Sequence, residues 1–201
     1  MKNLRKPEEI IIEGVSLEKL IESHQRWLDN EENGEQLILE GADLSYANLI
    51  GVDLSYANLR RIDLEGADLE NANLENADLR KANLIGVDLS YANLIGTNLR
   101  RVDLEDTDLS YANLQDTYLE NADLRKANLI GADLSYANLQ DAILENANLE
   151  NTNLRYADLE NADLVYANLK NADLKNANLR YANLRRTNLE GADLEGAYLN
   201  V

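Results

Sequence analysis

The sequence predicts an all-β solenoid, a chain that bends the same way at every fifth residue and stacks its coils into a rod. Three observations predict it. Leu stands at position 39 and at every fifth position after it through Leu199, 33 times without exception or insertion. Two residues before each of these central Leu is a small or aliphatic residue: 23 Ala, five Thr, three Val, Ile62 and Leu37. Between the two stand 14 Asp and 15 Asn, with Ile38, Tyr118, Ile143 and Tyr198 as the exceptions.

The period itself excludes the common alternatives. In an α-helix, five residues advance 500°, so successive Leu step by about 140° and form no apolar stripe. In a straight strand, an odd period puts successive Leu on opposite faces. A chain that bends once per repeat has neither problem. The Leu and the small residue two before it then point inward, and the Asp or Asn between them points out. Asn, Asp and Gly tolerate tight turns and offer local hydrogen bonds to the backbone. With no residue spare for a loop, the rod is expected to be straight.

Composition agrees with a repeat and excludes several other classes. The net charge is −18, and there is no Phe or Cys, with one Trp, one Pro, one Met and one His. Without the repeat, so much charge and so few aromatics would indicate disorder. Stacking overrides that by giving each Leu a buried place. The absence of Cys removes disulfides, thiolate nucleophiles and cysteine–zinc sites. The run Ile10-Ile11-Ile12 is too short for a signal peptide. No apolar stretch has the length of a membrane helix. The expectation is a soluble, cytoplasmic protein with no cofactor and no membrane partner.

The runs Ala42-Asp43-Leu44-Ser45-Tyr46 and Ala47-Asn48-Leu49-Ile50-Gly51 resemble the bacterial pentapeptide-repeat proteins, and the pattern covers residues 37–201. This resemblance implies a right-handed quadrilateral β-helix with one repeat per face and four per coil. It also implies about eight coils and, at a strand spacing of roughly 4.8 Å, a rod about 40 Å long.

Residues 1–36 break the rule and form an N-terminal segment. Ser16 is placed to cap a helix at about 17–29, and Val15 to staple against Leu20. Leu17, Leu20, Ile21, Trp27 and Leu28 follow helical spacing, and Asn30 to Gly34 end the run. Solenoid ends expose core and strand edges, so this helix is expected to cap the first coil. Residues Leu20 to Leu28 also resemble the short leader before the repeats in many family members. Ile10 to Ile12 are expected to add an edge strand.

Candidate chemistry is sparse. His24 is read as a partly buried cap residue, and no Ser stands in a nucleophile motif, so an enzyme is not expected. With four repeats per coil, residues 20 apart stack. Asp68, Asp88 and Asp108 then form a column that would suit a hard cation, but the favoured reading is local backbone hydrogen bonding, with no metal. Tyr91 with Tyr111, and Tyr136 with Tyr156, should form packing ladders on the outside. Arg60, Arg61, Arg80, Lys81, Arg100 and Arg101 place six cations on one face of three successive coils, bracketed by Glu40 and Glu120. Like charges stacked in this way call for nearby Asp63, Asp78 and Asp103, or for an anionic partner.

Face-level patterns carry a history. Residues 75–94 recur at 120–139 with one difference, Val87 against Ala132. The offset is 45 residues, nine repeats, so the copy is turned by one face.

The function expected is a non-catalytic protein-interaction scaffold whose partner is a protein of unknown identity. The alternative is a DNA mimic. The quinolone-resistance members of the family resemble B-DNA in shape and charge and bind type II topoisomerases. Residues 37–201 hold 28 acidic and 14 basic residues. Over the rod, that is one net charge per roughly 3 Å, about half the density of duplex DNA. No Phe stands at any centre, and neither a projecting loop nor a C-terminal helix is foreseen. The acidic balance also argues against direct nucleic-acid binding. At the C-terminal end, Leu184, Leu189, Leu194, Tyr198, Leu199 and Val201 are expected to form an apolar edge for a weak homodimer.

Overall fold

The computed structural model describes residues 4–199. From Ile38 onward the chain coils with a period of 20 residues. Parallel bridges join Ile38 to Asn58, Asp43 to Asp63, Asn48 to Asp68 and Asp53 to Asn73, and continue in the same register to Asp173 and Asp193. A turn interrupts the path every five residues, so each coil has four faces. Eight such coils fit between residues 37 and 196. No ordered loop leaves the coil path among these residues.

Counting the N–H groups of one repeat shows why the path closes. In the interior repeat Leu64–Asp68, Leu64 N–H donates to Asn83 O at 2.9 Å and Gly66 N–H to Ile85 O at 2.9 Å. Ala67 N–H closes the turn onto Leu64 O at 2.9 Å, and Asp68 N–H donates back to Ala47 O at 2.9 Å. Only Glu65 N–H has no backbone acceptor, and the Asp63 carboxylate takes it at 3.1 Å. A buried or half-buried N–H left unpaired is costly. All 29 Asp and Asn of this position make the same bond to the residue two further on, from Asp43 to Asp193. Many Asn also donate to the Asp or Asn one coil before, as Asn73 does to Asp53 at 3.1 Å.

Corners impose a second constraint. Every residue two after a central Leu, from Gly41 to Gly196, has positive φ: eight glycines and 24 others. All eight glycines of the repeat region stand there, because this conformation costs a side-chain-bearing residue about 1–2 kcal/mol. At Gly131 (φ +66°) an added Cβ would also lie 2.7 Å from the Tyr111 ring one coil before.

The interior is a filled column. Central Leu from Leu39 to Leu179 are buried, as are most of the Ala positions. Thr97, Thr107, Thr117 and Thr152 are buried there too, and each hydroxyl donates to a Leu carbonyl at 2.7–2.8 Å. The sheet character is thin. Each face makes one-residue bridges, and among the described residues the only parallel strand pair of two residues is Asn178–Leu179 with Tyr198–Leu199. The all-β expectation is corrected to that extent, because bends every five residues leave no room for longer strands.

The N-terminal segment differs from expectation in detail. Its helix, α1, runs Leu17–Leu28, but Ser16 makes no side-chain cap bond; instead Leu17 N–H donates to Ile10 O at 2.8 Å. Ile11–Ile12 (β1) pairs antiparallel with Val15–Ser16 (β2) in a hairpin and adds nothing to the solenoid edge. Arg5 does that: it bridges Ala47, donating to Tyr46 O at 2.7 Å and accepting from Asn48 N–H at 2.8 Å.

Ile143 offers a test of the bond made by Asp and Asn. It is an exception at the Asx position and is 40% exposed. Ile143→Asn should restore the bond to Glu145 N–H and raise stability by about 0.5–1 kcal/mol. An unchanged or lower melting temperature in thermal denaturation would refute the role given to Asp and Asn.

Candidate functional site

Besides the backbone bridge of Arg5, a buried side chain of α1 fastens the cap to the solenoid. His24 is fully buried, more so than the sequence suggested. Its Nδ1 accepts from Leu37 N–H at 3.1 Å, and its Nε2 lies 3.0 Å from Ser55 O. Nδ1 must therefore be bare and Nε2 protonated, which makes the ring neutral. Burial pushes the His24 pKa below the ordinary value; the Ser55 carbonyl and Asp53 pull the other way without reversing it. Trp27 stacks on His24 at 5.6 Å between centroids and stays at the rim. Leu17 is buried, while Leu20 and Ile21 are partly buried and pack on the core; Leu28 is half-buried.

The column Asp68, Asp88, Asp108 stacks as expected. Each carboxylate accepts the N–H two residues on, at 2.9–3.1 Å. Among the described residues no group of His, Asp and Glu is arranged to hold a metal ion. Tyr91 stacks on Tyr111 at 5.2 Å and Tyr136 on Tyr156 at 5.0 Å, as paired ladders.

The six-cation stripe is a groove. Arg60, Arg61, Arg80, Lys81, Arg100 and Arg101 line about 450 Å³ together with Glu120 and Asn121. Arg80 forks onto Asp78, with Nε 2.8 Å from Oδ1 and a terminal nitrogen 2.5 Å from Oδ2. Partial burial pushes the Asp78 carboxyl up, but the Arg80 hydrogen bonds outweigh it and hold its pKa below the usual range. Arg61 lies 3.6 Å from Glu40 and Arg100 lies 2.8 Å from Glu120. Arg100 also sits 4.4 Å from the centroid of Tyr118, another exception at the Asx position. Asp63 and Asp103 do not join in, contrary to expectation: both are turned to local N–H groups at 3.1 Å. All six cations stand where the 20-residue spacing put them, but nothing in the spacing marks Tyr118 as the ring under one of them.

At the other end, Leu184, Leu189 and Leu194 are only half-buried, and Tyr198 and Leu199 are exposed. Val201 lies outside the described residues. No helix among the described residues is long and apolar enough to cross a membrane.

A five-residue coil path with a filled Leu column defines a repeat solenoid. The model of the family described as pentapeptide repeats matches in eight copies, in segments running from 39–71 to 167–200. The chain belongs to the pentapeptide-repeat family. It is 34% identical to HetL of the cyanobacterium Nostoc sp. strain PCC 7120, a pentapeptide-repeat protein involved in regulating heterocyst differentiation; the match covers 86% of this chain and 93% of that one, with TM-score 0.50. It is 33% identical to Rfr23 of the cyanobacterium Cyanothece 51142, over 59% of this chain and 91% of that one, with TM-score 0.53. A trypsin-treated QnrB1, a plasmid-mediated fluoroquinolone resistance protein, shares the fold at 20% identity, over 82% of this chain and 90% of that one, with TM-score 0.51. A search among curated proteins gives no match.

The His24 clamp makes the cap acid-sensitive. The released ring takes up a proton near pH 6.5 and the docked ring only at lower pH. Cap stability is therefore complete above about 6.5 and falls as pH drops through the docked pKa. Trp27 fluorescence should hold steady from about pH 8 to 7 and change below about 6.5. A His24→Gln variant should lack this step; the same step in the variant would exclude His24 as its source.

Proposed function

We propose that the chain is a non-catalytic scaffold that presents its outer faces to a protein partner in the bacterial cytoplasm, on a coil of the family's right-handed form. The filled interior carries this reading. Leu and Ala, with a few Thr, Val and Ile, fill the axis, so every contact with another molecule must be made by the outer faces or the ends. Regulation, the role named for HetL, is work a rigid interaction surface can do. The basic stripe is the surface we assign to an anionic contact. Crosslinked capture with the full chain as bait should recover a defined protein from the source cell, and charge-reversed Arg60→Glu, Arg101→Glu bait should recover less of it. Capture of nothing above a scrambled-surface control would remove the scaffold reading.

The net charge of residues 37–201 favours a second reading, a DNA mimic acting on a type II topoisomerase. The stripe counts against it by interrupting the acidic surface over three coils. A gyrase supercoiling assay separates the two, with no inhibition expected at about 10 µM protein.

We further infer that the C-terminal end meets a second copy of the chain, through Leu184, Leu189, Leu194, Tyr198 and Leu199, whose apolar rims lie open. Sedimentation should show a weak dimer, lost in a Tyr198→Asp, Leu199→Asp variant; a wild type that stays monomeric at high concentration would end this idea.

A further inference from the structure

The chain contains one cationic motif twice, and the two copies have different surroundings. Arg125 and Lys126 belong to the segment 120–139 that copies 75–94. One coil before them stand Glu105 and Asp106. Arg125 forks onto Asp123 and reaches Glu105 at 3.3 Å, and Lys126 Nζ lies 2.7 Å from Glu105 and 3.8 Å from Asp106. Both cations are neutralised where they stand.

Arg80 and Lys81 are the same pair turned by one face, so their vertical neighbours change. One coil before them stand Arg60 and Arg61, and one coil after them Arg100 and Arg101. Arg80 keeps its local fork onto Asp78. Among the described residues no acid lies within ion-pair distance of the Lys81, Arg60 or Arg101 side chains, whereas Arg61 and Arg100 take Glu40 and Glu120. Six cations against three acids leave a formal charge of +3 in one groove of a chain whose net charge is −18. The groove floor is held: Arg100 is fixed between the Tyr118 ring and Glu120, and Glu120 Oε2 is enclosed with no donor.

We propose that this groove binds a condensed phosphate chain. The three unpaired cations fall one per coil, within two coil steps, roughly 10 Å. An extended acidic peptide shows carboxylates on one side only at every second residue, roughly 6.7 Å apart, so three of them overrun the groove. A phosphate chain gathers as many charges in a shorter length. Guanidinium forks match its oxygens two at a time, and Lys81 in the middle supplies a point charge. The volume of about 450 Å³ suits a small ligand. A nucleic-acid duplex would have to lay its remaining phosphates along the acidic flanks. Free oligophosphate and the phosphate tail of a nucleotide offer the groove the same chemistry. Phosphate binding here deepens the anionic contact assigned to the scaffold, and the scaffold reading survives its failure, because capture of a protein partner does not depend on phosphate.

Titration calorimetry on the full chain tests it, with tripolyphosphate, ATP, orthophosphate and a glutamate–glycine peptide of matched charge. Tripolyphosphate should bind one to one, about tenfold or more tighter than orthophosphate and the peptide, and about tenfold more weakly at 200 mM than at 50 mM salt. Arg60→Gln, Lys81→Gln, Arg101→Gln together should lose about tenfold or more in affinity with an unchanged melting temperature, since none of these side chains lies within ion-pair distance of an acid. Arg125→Gln, Lys126→Gln should bind as the wild type does. Tighter binding of ATP than of tripolyphosphate assigns the tail of a nucleotide, and equal binding assigns the bare chain. Tripolyphosphate no tighter than orthophosphate, a tighter peptide, or an equal loss in the Arg125, Lys126 variant each overturns the proposal.

Discussion

Each repeat has five N–H groups, and the neighbouring coils and the turn offer backbone acceptors for only four. The fifth, on the residue after the central Leu, has no backbone acceptor and is taken by the Asp or Asn two residues before it. That bond supports the bend wherever Asp or Asn stands, and the bend points Leu and Ala inward and sends the next residue into the left-handed corner. Four corners return the chain to its starting point 20 residues on, where the next set of N–H groups finds its carbonyls. Burial of the Leu column supplies the driving force. The hydrogen-bond pattern is what makes a five-residue period the geometry in which that burial occurs.

Much of the fold could be read from the sequence because the constraint recurs in every repeat. A period of five excludes the helix and the flat strand, and the Asx position announces local bonding to the backbone. The left-handed corner was not read from the sequence: every glycine of the repeat region occupies that one position, as Gly66 and Gly131 do, but 24 other residues share it and blur the mark. The N-terminal segment was harder. Its pattern gave the helix within a residue, but the cap rests on single long-range bonds, Arg5 to Tyr46 and Asn48 and His24 to Ser55 and Leu37, which leave no periodic trace. Ser16 looked like a side-chain cap, yet a carbonyl of Ile10 takes the N–H of Leu17.

The candidate groove was half legible. Stacking at 20 residues placed the six cations together without any structure. Which acids answer them depends on side-chain reach at the corners, and spacing alone does not give that. Asp78 is near enough to fork onto Arg80, while Asp63 and Asp103 accept from backbone N–H groups of their own stretch, and Asp63 also from Asn83 one coil on. Tyr118 sits where an Asx bond is forgone, beneath Arg100.

The copied block 120–139 shows how such a surface arises. Because every central position is Leu, a block moved by any whole number of repeats finds Leu above and below it, and the core does not register the move. The outside registers it completely unless the number is a multiple of four, since each side chain then acquires new neighbours above and below. The two layers of this molecule are thus inherited separately: one slippage event redraws the charge map of several coils while the column inside stays in step. A cation pair that is neutral beside Glu105 and Asp106 becomes, one face away, the middle rung of a charged groove.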